Sequence, residues 1–369
     1  MGLYSRCNES QPIQPATLCH SLFSETMSDY IFPENTSSYD FGLETPCEPE
    51  SVSNFAKVFL PVLYFLVFIL GFVGNGLVVC VVLKYLHRSN LTDLCLLNLA
   101  VSDLLFLLTL PLYAHYSAVS HWVFGDFMCH ISGGLHNVGF YSSTFFMVAM
   151  TLDRYVLIQH VQKASKYRSM KTGMVMTTCV WALSFCISLP AFIFTQVVIT
   201  SERVTCEQSP EDRTWIKYNI FSINILGLVL PVTVMVVCYS RIIPTLMKIR
   251  STQKRRIVKL IICIMVAFFL FWAPYNITLF LDFLRFEGTL TDSCELDTNL
   301  ILSTTVTETL AFSHCCLNPI IYAFAGQKFM KRSLMMLRKL RSWTHTSRDR
   351  SDSSFRMSSV VSQTSVTVL

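Results

Sequence analysis

Seven apolar runs alternate along the chain with short polar segments: 56–83, 92–115, 127–152, 171–194, 215–240, 257–284 and 299–325. Each reaches the ~20 residues that a helix needs to cross ~30 Å of hydrocarbon. Lipid offers the backbone no hydrogen-bond partners, so the pattern predicts helices rather than strands or loops. Each run also carries some Gly, Pro or polar residue, which suits helices that face one another, and no heptad or short repeat is evident. The expected class is an all-α membrane protein with three parts. An N-terminal tail covers 1–55, and a seven-transmembrane helix bundle covers 56–326. A short amphipathic eighth helix with a Ser/Thr-rich tail covers 327–369.

Composition agrees with this class. Of 369 residues, 52% are hydrophobic and only 14% charged, with mean hydropathy +0.47, which is too apolar for an ordinary soluble domain. The first 55 residues lack an apolar core with a cleavage site, so the first run is expected to insert as an uncleaved anchor.

The basic residues add orientation. Lys84 and Arg88 follow the first run, and Lys163, Lys166, Arg168 and Lys171 follow the third. Lys248, Arg250, Lys254, Arg255, Arg256 and Lys259 precede and enter the sixth, and Lys328, Lys331 and Arg332 follow the seventh. Basic loops stay in the cytoplasm, so the N-terminus is expected outside and the C-terminus inside.

The tails differ in sign. Residues 1–55 hold eight acids against Arg6, a net of −7, whereas 327–369 hold nine bases and two acids, a net of +7. Asn8 and Asn35 stand in N-glycosylation patterns on the outer tail. Asn90 and Asn276 fit the pattern but fall at the inner face or within a span, and are expected to be unmodified. Tyr30 and Tyr39 adjoin Asp29 and Asp40, which makes them candidates for sulfation. An acidic outer tail would steer a basic partner. Inside, Phe329, Leu334, Met335 and Leu337 would lie on the bilayer with the bases facing phosphate. The Ser/Thr-rich end reads as a disordered substrate for kinases. Thr367-Val368-Leu369 is a weak PDZ-binding ending.

Of 14 cysteines, Cys129, Cys206, Cys47 and Cys294 fall in outer segments. Bridges Cys129–Cys206 and Cys47–Cys294 would tie these segments to helix ends, although four cysteines allow three pairings. Cys7 and Cys19 remain in the tail.

Polar residues inside the runs carry the mechanism. Asn75, Asp103, Asp153 and Asn318 are costly in lipid and must face the bundle interior. Asp103, a carboxylate in mid-span, needs a cation, water or a proton. Pro111, Pro190, Pro231, Pro274 and Pro319 each remove a helical hydrogen bond and permit a kink. Asp153 and Arg154 at the inner end of the third run would pair as a lock that a partner opens. No His/Glu/Cys cluster has metal-ligand spacing, and no nucleophile–base set or phosphate loop is visible, which argues against an enzyme. Matched halves with broken helices, the mark of many carriers, are also absent.

The motifs in order are Gly74-Asn75, Leu99-Ala100-Val101-Ser102-Asp103, Asp153-Arg154-Tyr155, Phe271-Trp272-Ala273-Pro274-Tyr275 and Asn318-Pro319-Ile320-Ile321-Tyr322. With them the chain resembles a rhodopsin-like G-protein-coupled receptor from about Phe59 to Lys331. Within that family it resembles a chemokine receptor. The narrower likeness rests on Thr109-Leu110-Pro111, the Cys47/Cys294 pair, and His314-Cys315-Cys316-Leu317-Asn318-Pro319. Val306-Thr307-Glu308-Thr309-Leu310 and Ala273-Pro274-Tyr275-Asn276 look most like the CC type, and parts near the seventh run resemble the XC type.

The resemblance implies a secreted basic chemokine as ligand. Tyr64, Tyr113, Trp122, His136, Tyr275 and Glu308 would line its pocket, with Glu308 receiving the ligand's amino terminus. Trp272 would be a switch beneath the pocket, and Asp103, Ser143 and Asn318 would hold an allosteric sodium ion, the one cofactor expected. Arg154, Tyr239 and Tyr322, beside Asp153, Tyr155 and Pro319, would rearrange to admit an inhibitory-class heterotrimeric G protein at the plasma membrane. No nucleic acid is expected.

Three departures stand out. His136 and Tyr113 replace other aromatics. Val156-Leu157-Ile158-Gln159 stands where Leu-Ala-Ile-Val is usual. Gln162 occupies a position that usually seats an apolar side chain in the G protein, at an expected cost on the order of 1 kcal/mol of coupling. A scavenging receptor that binds chemokine but signals weakly is therefore the alternative.

Overall fold

The computed structural model describes residues 50–84, 91–160, 162, 169–200, 203–210, 212–247, 252–290, 293–325 and 335. Span one is Glu50–Lys84. Span two is Leu91–Leu107 followed by Leu110–Val119, and span three is Gly125–Gln159. Span four is Met170–Phe194. Strands β1 (Thr195–Ile199) and β2 (Val204–Gln208) follow it. Span five runs from Arg213–Ser222 through a π-helical segment, Ile223–Val229, into Leu230–Met247. Span six is Thr252–Phe286, and span seven is Cys294–Phe312 followed by His314–Ala325.

Six of these are long and apolar enough to cross a membrane among the described residues, and span three is not one of them. Its position explains why. Span three packs against spans two, four and five and the hairpin, so its polar residues Ser132, His136, Ser142, Ser143, Thr144, Thr151 and Asp153 are buried in protein rather than lipid. Spans at the periphery keep large apolar side chains such as Phe65, Ile69, Val175 and Leu189 exposed, where hydrocarbon is the solvent.

Two prolines account for irregularities in spans two and five. Pro111 has no N–H to donate, and just before it span two tightens: the Thr109 N–H and hydroxyl both donate to the Phe106 carbonyl, at 3.1 and 2.7 Å. The helix restarts with Pro111 in its first turn, where a missing N–H costs little. In span five the wide π turn precedes Pro231. It brings Gly227 so close to Phe140 that a Cβ there would lie 2.5 Å from the ring.

Span seven breaks at Ser313. Pro319 further along cannot donate to the Cys315 carbonyl, and Asn75 Nδ2 of span one donates to that oxygen at 3.1 Å instead, and to Gly71 O at 3.0 Å. Gly74 lets Pro319 approach, since a Cβ at that position would lie 2.9 Å from the proline ring.

The outer loop after span four holds a feature that the helical expectation left out. Thr195–Ile199 and Val204–Gln208 form an antiparallel hairpin with Val197 opposite Cys206. Its signal was the β-branched run through Thr195, Val197, Val198, Ile199, Val204 and Thr205. Span five then starts at Asp212, whose carboxylate accepts from the Thr214 N–H at 2.8 Å and is held below its usual range by that bond. The main core cluster includes Tyr64, Phe106, Phe140, Tyr141, Phe146, Trp272 and Phe312.

Several expectations lie outside the described residues: Asn8, Asn35, Tyr30, Tyr39, the Cys47 to Cys294 bridge, the Tyr322 side chain, and the amphipathic segment apart from Met335, which is helical and exposed.

Candidate functional site

The outer end of the bundle is built around one disulfide. Cys129, near the start of span three, is bonded to Cys206 in β2, with Cα atoms 5.7 Å apart. Asp126 Oδ1 accepts the Val197 N–H at 2.9 Å, and the Trp122 N–H donates to Val204 O at 2.8 Å, so span three and the first outer loop both grip the hairpin. The Trp122 indole packs with Cys129 and Cys206, and its Nε1 donates to Gly125 O at 2.9 Å. At 2% exposure it is a structural wedge beneath the hairpin, and its donor is already used. Burial in the hairpin pushes the Glu207 carboxyl up, while a bond from Thr205 draws it back.

Below the hairpin, Tyr113 meets His136 edge-on at 5.6 Å, and Tyr64 lies 6.0 Å from Phe312. Glu308 of span seven, 5% exposed, lies within electrostatic reach of Tyr64 in span one and Tyr113 in span two. Tyr275 stands over Trp272 at 6.4 Å.

The Thr109 hydroxyl links two sequence features that seemed separate. Its single hydrogen goes to Phe106 O, so it accepts from His136 Nδ1 at 3.0 Å. The Thr109-Leu110-Pro111 break and the unusual histidine are thus one device. Trp272 lies beneath, with Phe140 at 4.5 Å and His314 at 4.9 Å, and its buried Nε1 has no hydrogen-bond partner among the described residues.

At the centre, Ser143 Oγ donates to Asp103 Oδ1 and Asn318 Nδ2 to Asp103 Oδ2, each at 2.7 Å. The three residues expected to surround a cation are therefore in direct contact. His314 and Cys315 adjoin them, which no sequence spacing indicated.

At the inner face, the Asp153 carboxylate is engaged by span two: Thr92 Oγ1 donates to Asp153 Oδ2 at 2.7 Å. Tyr239 shares a 3.2 Å hydrogen bond with Thr151 and lies within electrostatic reach of Arg154. Gln159 joins spans three and five, its Nε2 donating to Thr245 Oγ1 at 2.8 Å and to the Arg241 carbonyl. Gln162 is exposed.

We expect Gln159→Leu, which keeps the bulk and removes both bonds, to raise ligand-free G-protein activation. A net loss of about 1 kcal/mol of inter-span bonding corresponds to roughly fivefold. Basal signalling at matched surface expression measures this, and no rise would mean that the clamp persists in the active bundle.

The family model described as 7 transmembrane receptor (rhodopsin family) matches residues 74–322 of the 369. The chain belongs to the rhodopsin family of seven-transmembrane receptors. It is therefore a multi-pass plasma-membrane protein and a non-enzymatic receptor whose cytoplasmic partner is a heterotrimeric G protein.

Proposed function

We propose that this receptor answers to a chemokine and activates an inhibitory-class G protein, leading to calcium signalling and cell migration. Its N-terminus lies outside. The observation that carries this reading is the Glu308 carboxylate, buried beside Tyr64 and Tyr113 below the hairpin. A buried carboxylate within electrostatic reach of two phenols suits an amino group, and a chemokine enters such a bundle with its amino terminus. The acidic outer tail, net −7 over residues 1–55, suits a basic ligand body, and sulfation at Tyr30 and Tyr39 deepens that field.

Asp103, Ser143 and Asn318 supply the oxygen donors that an allosteric sodium ion requires, and their mutual contacts fit such an ion. Bound there, sodium would balance the Asp103 charge and favour the resting bundle. Ligand favours the active bundle only by its differential affinity. Phosphorylation of the Ser/Thr-rich tail by receptor kinases would then recruit arrestin.

A scavenging role is the second reading. It is favoured by the exposed Gln162 in place of an apolar contact and by the Gln159 clamp.

The test is a chemokine panel on cells expressing the chain, with G-protein activation and arrestin recruitment read in parallel. We expect a response that pertussis toxin abolishes, and a loss of potency of tenfold or more in Glu308→Gln at equal surface expression. Uptake without G-protein activation would establish the scavenger, with Gln162→Leu as the next variant. No chemokine binding at all would refute both.

A further inference from the structure

Asp103 of span two and His314 and Cys315 of span seven converge at the centre of the bundle. One ligand atom from each lies within 4.8 Å of the others, and all three side chains are buried. In an unbroken helix consecutive side chains diverge by about 100°. The interruption at Ser313, where the Cys316 N–H reaches back to Ser313 O at 3.1 Å, accompanies the placement of both His314 and Cys315 beside Asp103.

The supporting contacts are those of a metal ligand set. His314 Nδ1 bonds the Ala311 carbonyl at 2.7 Å. A carbonyl only accepts, so Nδ1 carries the hydrogen and Nε2 keeps its lone pair. A histidine oriented from behind by a backbone carbonyl is the usual arrangement at metal sites. Trp272 at 4.9 Å and Phe106 at 6.0 Å flank the ring, and Ser143 and Asn318 orient the carboxylate.

We propose that Asp103, His314 and Cys315 bind a single zinc-class divalent cation, in competition with sodium. Sodium takes oxygen donors, whereas a set of one oxygen, one imidazole nitrogen and one thiolate sulfur selects a borderline-soft ion. Charge points the same way: carboxylate plus thiolate neutralise a dication in a core where a bare charge is costly. On binding, the Cys315 thiol loses its proton to water and forms the sulfur–metal bond, and nothing is oxidised or reduced. Bonds of about 2.0–2.3 Å draw the three ligand atoms together by roughly an ångström. Water or the Ser143 hydroxyl completes the fourth position. The bound ion ties span two to span seven and so opposes any motion that separates them.

The cation site stands whatever ligand the receptor answers to, and the test uses none. The full-length receptor, purified in detergent, is heated with and without zinc chloride, and separately across a sodium series. We expect zinc at a hundredfold excess over its Kd to raise the Tm by about 5 °C. Cys315→Ala and His314→Gln should lose most of that shift while keeping the sodium shift, which also shows that they fold. Asp103→Asn should lose both. A zinc shift that survives in Cys315→Ala and His314→Gln, or one absent from the wild type, overturns the proposal. Cobalt(II) gives a second readout, which follows the Cys315 sulfur itself and does not rest on a melting temperature. A sulfur-to-metal charge-transfer band in the wild type that disappears in Cys315→Ala supports the site, and a band unchanged in that variant refutes it.

Discussion

Replacing Gly134 with alanine will cut surface expression of this receptor by more than tenfold. A Cβ at Gly134 would lie 2.1, 2.2 and 2.3 Å from Phe192 Cδ1, Cε1 and Cγ. The nearest atoms include the root of the ring as well as its edge, so a small rotation of Phe192 does not relieve the overlap. At the neighbouring Gly133 a Cβ would meet Thr195 at 2.6–2.8 Å. The two glycines therefore let span three lie directly against the end of span four and the start of the hairpin. Overpacking such a contact costs typically 1–3 kcal/mol and sometimes more. A single methyl group thus consumes much of the stability of a typical fold, which is only 5–15 kcal/mol. Cell-surface labelling measures the loss. Adding Phe192→Leu, which removes the ring, should restore much of the expression. Failure of that rescue would place the constraint elsewhere in the span.

Loss of the outer disulfide should have a comparable effect. The cysteines are 77 residues apart, so the bond closes a large loop in the unfolded chain. By the chain-entropy model it stabilises the fold by about 4.5 kcal/mol. Its removal also frees the hairpin that Asp126 and Trp122 hold against the end of the bundle. Cys129→Ser, Cys206→Ser and the double variant should all lose surface expression and melt at similarly lowered temperatures, because each removes the same bond. A double variant much worse than either single would show that each cysteine also acts alone.

The bundle was legible because crossing a membrane is a severe constraint. Length and apolarity marked seven runs, and the observed helix ends extend beyond the marked runs by up to a turn or two. Span three shows the limit of that signal: it is the least lipid-like because protein surrounds it. The positions of Asp103, Asn318 and Ser143 followed from the family motifs. Their companions His314 and Cys315 did not, since the helix break at Ser313 decides where consecutive side chains point.

The family likeness alone puts Trp122 among the ligand contacts. Its burial against the disulfide depends on the hairpin, which a reading devoted to helices passed over. Adjacency along the chain points from Asp153 to Arg154, and the structure adds a partner 61 positions away, Thr92, on the same carboxylate. Such pairings arise from how helices pack, and periodicity along one helix carries no trace of them. Gln159 was noticed as a departure from the family pattern, and only its contact with span five gives that departure a physical consequence.

The bond between Asn75 and the Cys315 carbonyl changes what span one does in this molecule. A proline hinge ordinarily leaves a loose carbonyl that a helix swings around. Here that carbonyl is tethered to a different helix, so the bend in span seven is referenced to an external post. In a dry core an abandoned acceptor costs about 1–3 kcal/mol. Span seven can therefore straighten only if span one travels with it or water enters to take over the bond. The first helix thus acts as a stop on the movement of the last.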